Sequence, residues 1–439
     1  MAVLQSIIRW FFVGAALAAA GCATTNEGQN TPSASAIVSA NEKQNEGQIV
    51  VLIGLDGLRA NAIDDFPEAA PNLRKLAQKG VRAAGMVPAM PSVTFVNFYT
   101  IATGLYPEHH GIVSNASYSR ADDEVMARAD HGNSKWWGGE PIWSTAEKQG
   151  VKTATMFWLG SEAEVAGARP SIWLPYQHTK PFDERTSEAL EWLAMPERER
   201  PRLVTVYFHA VDTAVHINGV RSEQERDAIA LMDAQVGALI DGVKQLGLQD
   251  KVNFIIVSDH GMISAPGENL IDLEQYISFD DVLIPEFEGP DGPAYTPLIH
   301  VFAEADKRAA VYDRLAAASH AAPFKVYRRE HLPDRWRMNN LDRTGDIVVV
   351  AEPGWMLFGA SLEARYPAAE NGATHGYDRH LPGMLATFIA DGPRFENGVI
   401  VEPFDNVEVY GMIANILGVT PAQTDGSLDR VQHFMTPRD

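Results

Sequence analysis

The sequence of 439 residues carries 57 Asp and Glu against 36 Lys and Arg, a formal net charge of -21, with 46% hydrophobic and 21% charged residues. This is the balance of a globular chain long enough to bury a large core. The acidity makes a nucleic-acid duplex a poor partner, because duplex binding needs a surplus of Lys and Arg to release counterions. Small phosphate-bearing substrates stay open, since bound cations reverse a local field. Cys22 is the only cysteine, which excludes an intramolecular disulfide and a thiolate metal site, so any zinc must be held by His and carboxylate.

Along the chain, Arg9 precedes an apolar run over 10–20 that is too short for an ordinary transmembrane helix. Ala19-Ala20-Gly21-Cys22 resembles a bacterial lipobox. Residues 1–22 are therefore expected to be a lipoprotein signal peptide, with a lipid anchor at Cys22 on an exported, periplasmic protein. Ala23 after the cysteine leaves the outer membrane open, and the plainer alternative is a secretory signal cleaved near Ala20. Residues 23–46, rich in Ser, Thr, Asn, Gln and Glu, read as a flexible tether. Residues 47–439 are expected to form the folded domain that carries the function.

Within that domain, the continuous apolar run 49–53 predicts a strand buried on both faces. The pattern then predicts a short helix over 72–78, a helix over 95–102, a strand over 152–157 and a helix over 184–193. A strand over Leu203–Phe208, a long amphipathic helix over 223–246 and a strand over Val252–Val257 follow. Residues 264–371 are broken by Gly and Pro and read as a less regular inserted subdomain. Further strands are expected over 347–350 and 385–389. Strands alternating with helices predict an α/β fold, with a central, mostly parallel sheet flanked by helices on both faces.

Three of these strands run into acidic residues: Asp56, Asp212 and Asp259. Ligands of open α/β sheets sit at the carboxyl ends of strands, so the three side chains are expected to converge on one rim. Crowded carboxylates repel, and a bound cation resolves the conflict. His216 lies four residues after Asp212, His260 is adjacent to Asp259, and His375 stands in the loop-like stretch Thr374-His375-Gly376-Tyr377. Carboxylate and imidazole together suit catalytic zinc, with manganese or iron also open. Each piece has a plainer reading: an Asp-Gly turn, or a surface Asp–His pair. Their joint occurrence at strand ends carries the metal reading. Thr94 immediately precedes the helix expected over 95–102. It is either a helix cap or a nucleophile beside an anion-binding helix N-terminus, and the residues alone leave both open.

The ordered motifs Leu55-Asp56-Gly57-Leu58-Arg59, Thr94-Phe95 with Asn97 and Tyr99, Thr103-Gly104-Leu105-Tyr106-Pro107-Glu108, Ser258-Asp259-His260-Gly261 and His375-Gly376-Tyr377-Asp378 resemble the nucleotide pyrophosphatase/phosphodiesterase family of the alkaline phosphatase superfamily. The resemblance runs from about Val50 to Phe395. It implies an alkaline phosphatase-like fold and two zinc ions per chain. Asp212, His216 and His375 match the ligands of one zinc; Asp56, Asp259 and His260 match those of the other, which also binds the nucleophile Thr94. Asn115 matches a donor to a phosphate oxygen. Phe95 and Tyr207 match aromatic residues that sandwich a nucleobase, core packing being their plainer role. The sequence departs from the family pattern at Val96, Phe98, Leu159, Val215 and Val220, where substrate preference rather than catalysis is affected.

The resemblance implies hydrolysis of phosphodiester or pyrophosphate bonds of nucleotides to nucleoside monophosphates, through a phospho-threonine intermediate. A phospholipid or glycerophosphodiester hydrolase is the alternative on the same site. A ligand-binding lipoprotein without catalysis is the alternative of another class, and the complete ligand set argues against it.

Overall fold

The structure is a computed structural model that describes residues 47–285, 288–289, 292–293, 295–359 and 369–437. The signal, lipobox and tether assignments lie outside the described residues.

Eight strands form the central sheet: β1 (Ile49–Leu55), β2 (Val81–Ala83), β3 (Thr153–Met156), β4 (Ile172–Leu174), β5 (Leu203–Phe208), β6 (Val252–Val257), β7 (Phe388–Asp391) and β8 (Val399–Val401). Their spatial order is β8-β2-β7-β6-β1-β5-β3-β4. β1 lies at the centre, parallel to β5 on one side and to β6 on the other. β1, β5 and β6 are buried at every residue. Their Val, Ile and Leu runs therefore serve two apolar faces at once, as a covered parallel strand requires. The sheet is mixed, because β7 runs antiparallel to both β6 and β2. The strand expected over 385–389 forms three residues later than its apolar run begins, since Leu385 and Ala386 bond across to Ala60 and Met86 instead.

The flanking helices used below are α1 (Pro71–Lys79), α2 (Thr94–Thr103), α3 (Phe182–Ala194), α4 (Ala210–Asn218), α5 (Glu223–Gln245) and α6 (Glu408–Leu417). α5 contacts α1, α3 and α4, whereas α2 contacts α6, so the helices form two separate sets. α5 starts at Ser222, whose side chain accepts from Glu225 N–H, an ordinary N-cap.

Between β6 and β7 lies a second, antiparallel sheet. Its strands stand in the order Val282–Leu283, Leu298–Ala303, Ile347–Ala351, Phe324–Arg328. Side chains alternate along it with period two. Ile299, Val301, Ile347 and Val349 pack with Val311 and Leu315 of the helix Arg308–Ala318. Leu298, Val348 and Val350 face the other way, onto Trp336, Met338 and Met90. Met90 lies four residues before Thr94, so this sheet backs the segment leading into α2.

Candidate metal and phosphoryl site

Asp56 and Asp259 directly follow or closely follow the ends of β1 and β6, and Asp212 lies in the first turn of α4 after β5. Because β5, β1 and β6 are adjacent and parallel, the three carboxylates meet at one sheet edge. Gly57 makes the close approach feasible. It has φ +69°, and a Cβ there would lie 2.9 Å from Asp212 Cα, so only glycine fits both the turn and the neighbour. Asp212 N–H donates to the Asp56 carbonyl at 3.1 Å across this junction.

The side chains form two groups: Asp56, Asp259 and His260, and Asp212, His216 and His375. Within each, the candidate ligand atoms lie within 4.8 Å of one another. In the first group His260 Nε2 is 3.0 Å from Asp259 Oδ2 and 3.6 Å from Asp56 Oδ1. In the second, Asp212 Oδ1 is 3.3 Å from His216 Nε2 and 3.6 Å from His375 Nε2. The Asp212–His216 spacing of four places both on one face of α4. The two groups touch through His260 and His375, whose rings stack at 3.5 Å.

The polar atoms around each group say what it can hold. All three imidazoles have Nδ1 at a backbone carbonyl: His216 at Ala373 O (2.9 Å), His260 at Gly261 O (3.0 Å) and His375 at Ser92 O (2.9 Å). Nδ1 thus carries the proton and Nε2 is left with its lone pair facing inward, the usual second-shell arrangement of a metal-binding histidine. Three buried oxygens, Asp56 Oδ1, Asp212 Oδ1 and Asp259 Oδ2, have no hydrogen-bond donor among the described residues. One such oxygen from each carboxylate, aimed where three Nε2 atoms also point, fits divalent cations of the zinc type.

The electrostatics agree. Burial pushes the Asp56 carboxyl well above the usual range, and the charges of Asp259 and Asp212 push it further, against a bond from Tyr207. Burial also acts to raise Asp212, but in the metal-free chain a protonated His216 would pair with it, and that attraction, followed by those of His375 and His260, takes it below the ordinary value, as a cation would in place of the proton. His375 is held well below its usual value by burial and then by His260. A cation would remove the cost of keeping Asp56 deprotonated.

Thr94 is the first residue of α2. Val93 occupies the N-cap position and makes no side-chain cap bond. Thr94 Oγ1 lies 3.3 Å from His260 Nε2, so the hydroxyl faces the first group rather than its own helix. The capping role passes to Asn115, whose Oδ1 accepts from Phe95 N–H at 2.9 Å. That leaves Asn115 Nδ2 as a donor beside Thr94 at the positive end of the helix.

Residues 50–378 match the family model for type I phosphodiesterase/nucleotide pyrophosphatase. The chain belongs to this family. A venom phosphodiesterase of Crotalus durissus collilineatus is 34% identical over 388 residues, covering 88% of this chain and 46% of that protein. Ectonucleotide pyrophosphatase/phosphodiesterase family member 3 of Rattus norvegicus is 33% identical over 391 residues, covering 88% of this chain and 44% of that protein. The chain therefore spans a little under half the length of these curated relatives. Among solved structures, murine ectonucleotide pyrophosphatase/phosphodiesterase 5, in an inactive threonine-to-alanine form in complex with AMP, superposes with a TM-score of 0.81 at 27% identity, covering 89% of this chain and all of that one. The alkaline phosphatase-like fold and the phosphodiesterase family are thus as expected.

Two aromatic positions of this family member behave differently from each other. Phe95 is 8% exposed and sets its ring against His131 at 5.2 Å. Tyr207 is buried, and its hydroxyl donates to Asp56 Oδ2 at 2.5 Å, so it orients a carboxylate of the first group. The aromatic residue that does reach the surface here is Tyr176, 38% exposed, with its ring 6.2 Å from Tyr207 and 5.5 Å from Phe157. Sequence reasoning missed it, although the apolar stretch 172–174 followed by Pro175-Tyr176 was a usable signal. Phe98, one of the positions that depart from the pattern of the resemblance, is fully buried and packs edge-on to Trp158 and Tyr207. It makes the space behind Tyr207 apolar.

Proposed function

We propose that this chain hydrolyses phosphodiester or pyrophosphate bonds of nucleotides, releasing a nucleoside monophosphate, with Thr94 as nucleophile and one zinc ion at each of the two groups. The observation that carries the reading is the placement of Thr94 Oγ1 3.3 Å from His260 Nε2, at the edge of a cluster with three donorless carboxylate oxygens. When bound, the two cations supply the positive charge that favours an alkoxide at Thr94 and stabilises the departing oxygen. The rest is done by the chain. Thr94 Oγ1, its proton released to solvent, forms a bond to phosphorus while the bond to the leaving oxygen breaks, and the leaving group departs with that electron pair. Asn115 Nδ2 and the α2 N-terminus hold the non-bridging oxygens. In the second step water attacks phosphorus from the vacated side and gives up a proton, the Thr94–phosphorus bond breaks with its electron pair going to Oγ1, and Oγ1 takes up a proton to restore the hydroxyl. The neutral Asn115 suits a diester, which carries less charge than a monoester.

AMP in the neighbouring murine structure supports a nucleotide. A lipid head-group diester is the second reading, favoured by Ile217, an apolar side chain 61% exposed directly beside His216. The names of the relatives, venom and ectonucleotide enzymes, support export. Among the described residues no helix is long and apolar enough to cross a membrane, and an anchor at Cys22 is the proposed attachment.

The test assays the nitrophenyl ester of thymidine monophosphate, a choline phosphodiester and nitrophenyl phosphate, with metal content measured on the same sample. Preferential cleavage of the nucleotide diester with about two zinc ions per chain is expected. Cleavage of the choline diester instead transfers the assignment to lipids. No metal and no turnover would overturn the site.

A further inference from the structure

Arg185 of α3 is 0% exposed and forms no ion pair among the described residues. A buried cation without a carboxylate is costly unless every donor is satisfied, and an apolar residue would serve stability as well or better. Here all three nitrogens donate to backbone carbonyls of two segments, in four hydrogen bonds. Nε donates to Lys180 O at 3.1 Å, and one Nη to Gln177 O at 3.3 Å and His178 O at 3.1 Å. The other Nη donates to Tyr207 O at 2.8 Å. The guanidinium lies over the rings of Phe157 and Phe182 at 4.9 and 5.0 Å. Phe157 itself holds φ +62°, a left-handed conformation that is strained for an aromatic residue.

What these bonds fix is informative. The carbonyls of Gln177, His178 and Lys180 belong to the loop that presents Tyr176 at the surface. His178 stacks on His209 with ring centroids 4.0 Å apart, and His209 is the N-cap residue of α4, three residues before Asp212. Tyr207 is the penultimate residue of β5 and bonds Asp56. Arg185 therefore ties the exposed loop to the strand end that carries the metal-facing carboxylates.

We propose that Arg185 is a positioning residue that fixes the 176–180 loop as the substrate-side rim, and so sets preference for phosphodiesters with a bulky planar substituent over small ones. This rests on the nucleotide reading above. A loop that must be ordered at the moment of binding weakens affinity, by up to about tenfold for each side chain immobilised.

The test compares the nitrophenyl ester of thymidine monophosphate with methyl nitrophenyl phosphate, a small diester, for the wild type, Arg185→Lys, Tyr176→Ala and the double variant. The expected result is a KM for the nucleotide ester raised about tenfold in each single variant, kcat and the small-diester rate retained, and no further rise in the double variant, because Arg185 acts through the loop. Arg185→Gln, which keeps two donors and drops the buried charge, serves if the lysine variant fails to fold. An unchanged KM in the Arg185 variants alongside a raised KM in Tyr176→Ala overturns the proposal, as does an equal fall in kcat on both substrates or an additive double variant. No preference for the nucleotide ester in the wild type overturns the nucleotide reading itself, which is a separate outcome.

Discussion

Replacing Asp56 by asparagine should stabilise the metal-free chain while weakening its response to zinc. Asp56 is 2% exposed and shares its group with Asp259 within 4.8 Å. At an effective dielectric constant of about 20, two unit charges at about that separation repel by roughly 3 kcal/mol. An independent bound comes from linkage: keeping a carboxyl of ordinary pKa protonated at pH 7 costs about 4 kcal/mol, which caps the penalty. The asparagine side chain keeps an acceptor for the Tyr207 hydroxyl, so the substitution removes charge with little loss of bonding. An unfolding entropy of about 2.1 cal/mol/K per residue, over the roughly 400 residues of Glu42–Asp439, converts about 3 kcal/mol into a rise of about 4 °C in Tm. The sign with pH follows from the raised Asp56 value in the folded, metal-free state. Wild-type stability falls as pH rises from the ordinary carboxylate range toward the raised value. The advantage of Asp56→Asn should therefore be largest near neutral pH and shrink toward the ordinary carboxylate range. Thermal unfolding of chelator-treated protein, repeated with added zinc, measures both effects. A metal-free Asp56→Asn variant no more stable than the wild type at neutral pH would refute the crowding argument.

The other predictions concern neighbours of the same cluster. Thr94→Ala should keep its zinc and its Tm while losing at least about a thousandfold in turnover, as expected when a covalent nucleophile is removed; near-normal turnover would remove Thr94 from the reaction. Asn115→Ala should lower kcat by about a hundredfold through the lost donor and stability by about 1 kcal/mol through the lost α2 cap. Asn115→Asp should keep the cap and the Tm yet lose turnover, and equal stability losses in the two variants would contradict the capping bond seen at Phe95. Tyr207→Phe frees Asp56 Oδ2 and should weaken zinc binding about tenfold to a hundredfold, read by competition with a chromogenic chelator.

How much of this was legible depended on what each residue contacts. β1, β5 and β6 could be read because burial on both faces leaves an uninterrupted apolar run, and their parallel pairing followed from the helices between them. The direction of β7 could not be read, because an apolar run has the same composition in either direction. Of the second sheet only one strand was read, over 347–350, where the structure has Ile347–Ala351; Leu298–Ala303, as long and as buried as β5 and β6, was missed because Gly and Pro break up the segment around it. The six metal-type side chains were visible as a set, since acids at strand ends with nearby histidines form a pattern along the chain. Partners joined only by folding were invisible. No spacing rule links Asn115 to Phe95 N–H, twenty residues away, or Arg185 to the carbonyl of Tyr207.

The two groups are brought together by a feature that belongs to neither. Ile263–Ser264 pairs antiparallel with Ala373–Thr374, Ile263 opposite Thr374 and Ser264 opposite Ala373. His260 lies three residues before this ribbon and His375 directly after it. Pairing the ribbon therefore delivers His375 onto His260 at 3.5 Å, and places Ala373 O where His216 Nδ1 meets it. Everything between the two short strands, including the second sheet, enters and leaves through this neck. The same sheet reaches the nucleophile by a different route: its face packs on Met90, and His300 bonds Val113 O, two residues before Asn115. A chain segment far from the reacting atoms thus holds the geometry on both sides of them. Damage to its packing should reach metal binding through His375, and phosphate binding through Asn115, as two separable losses.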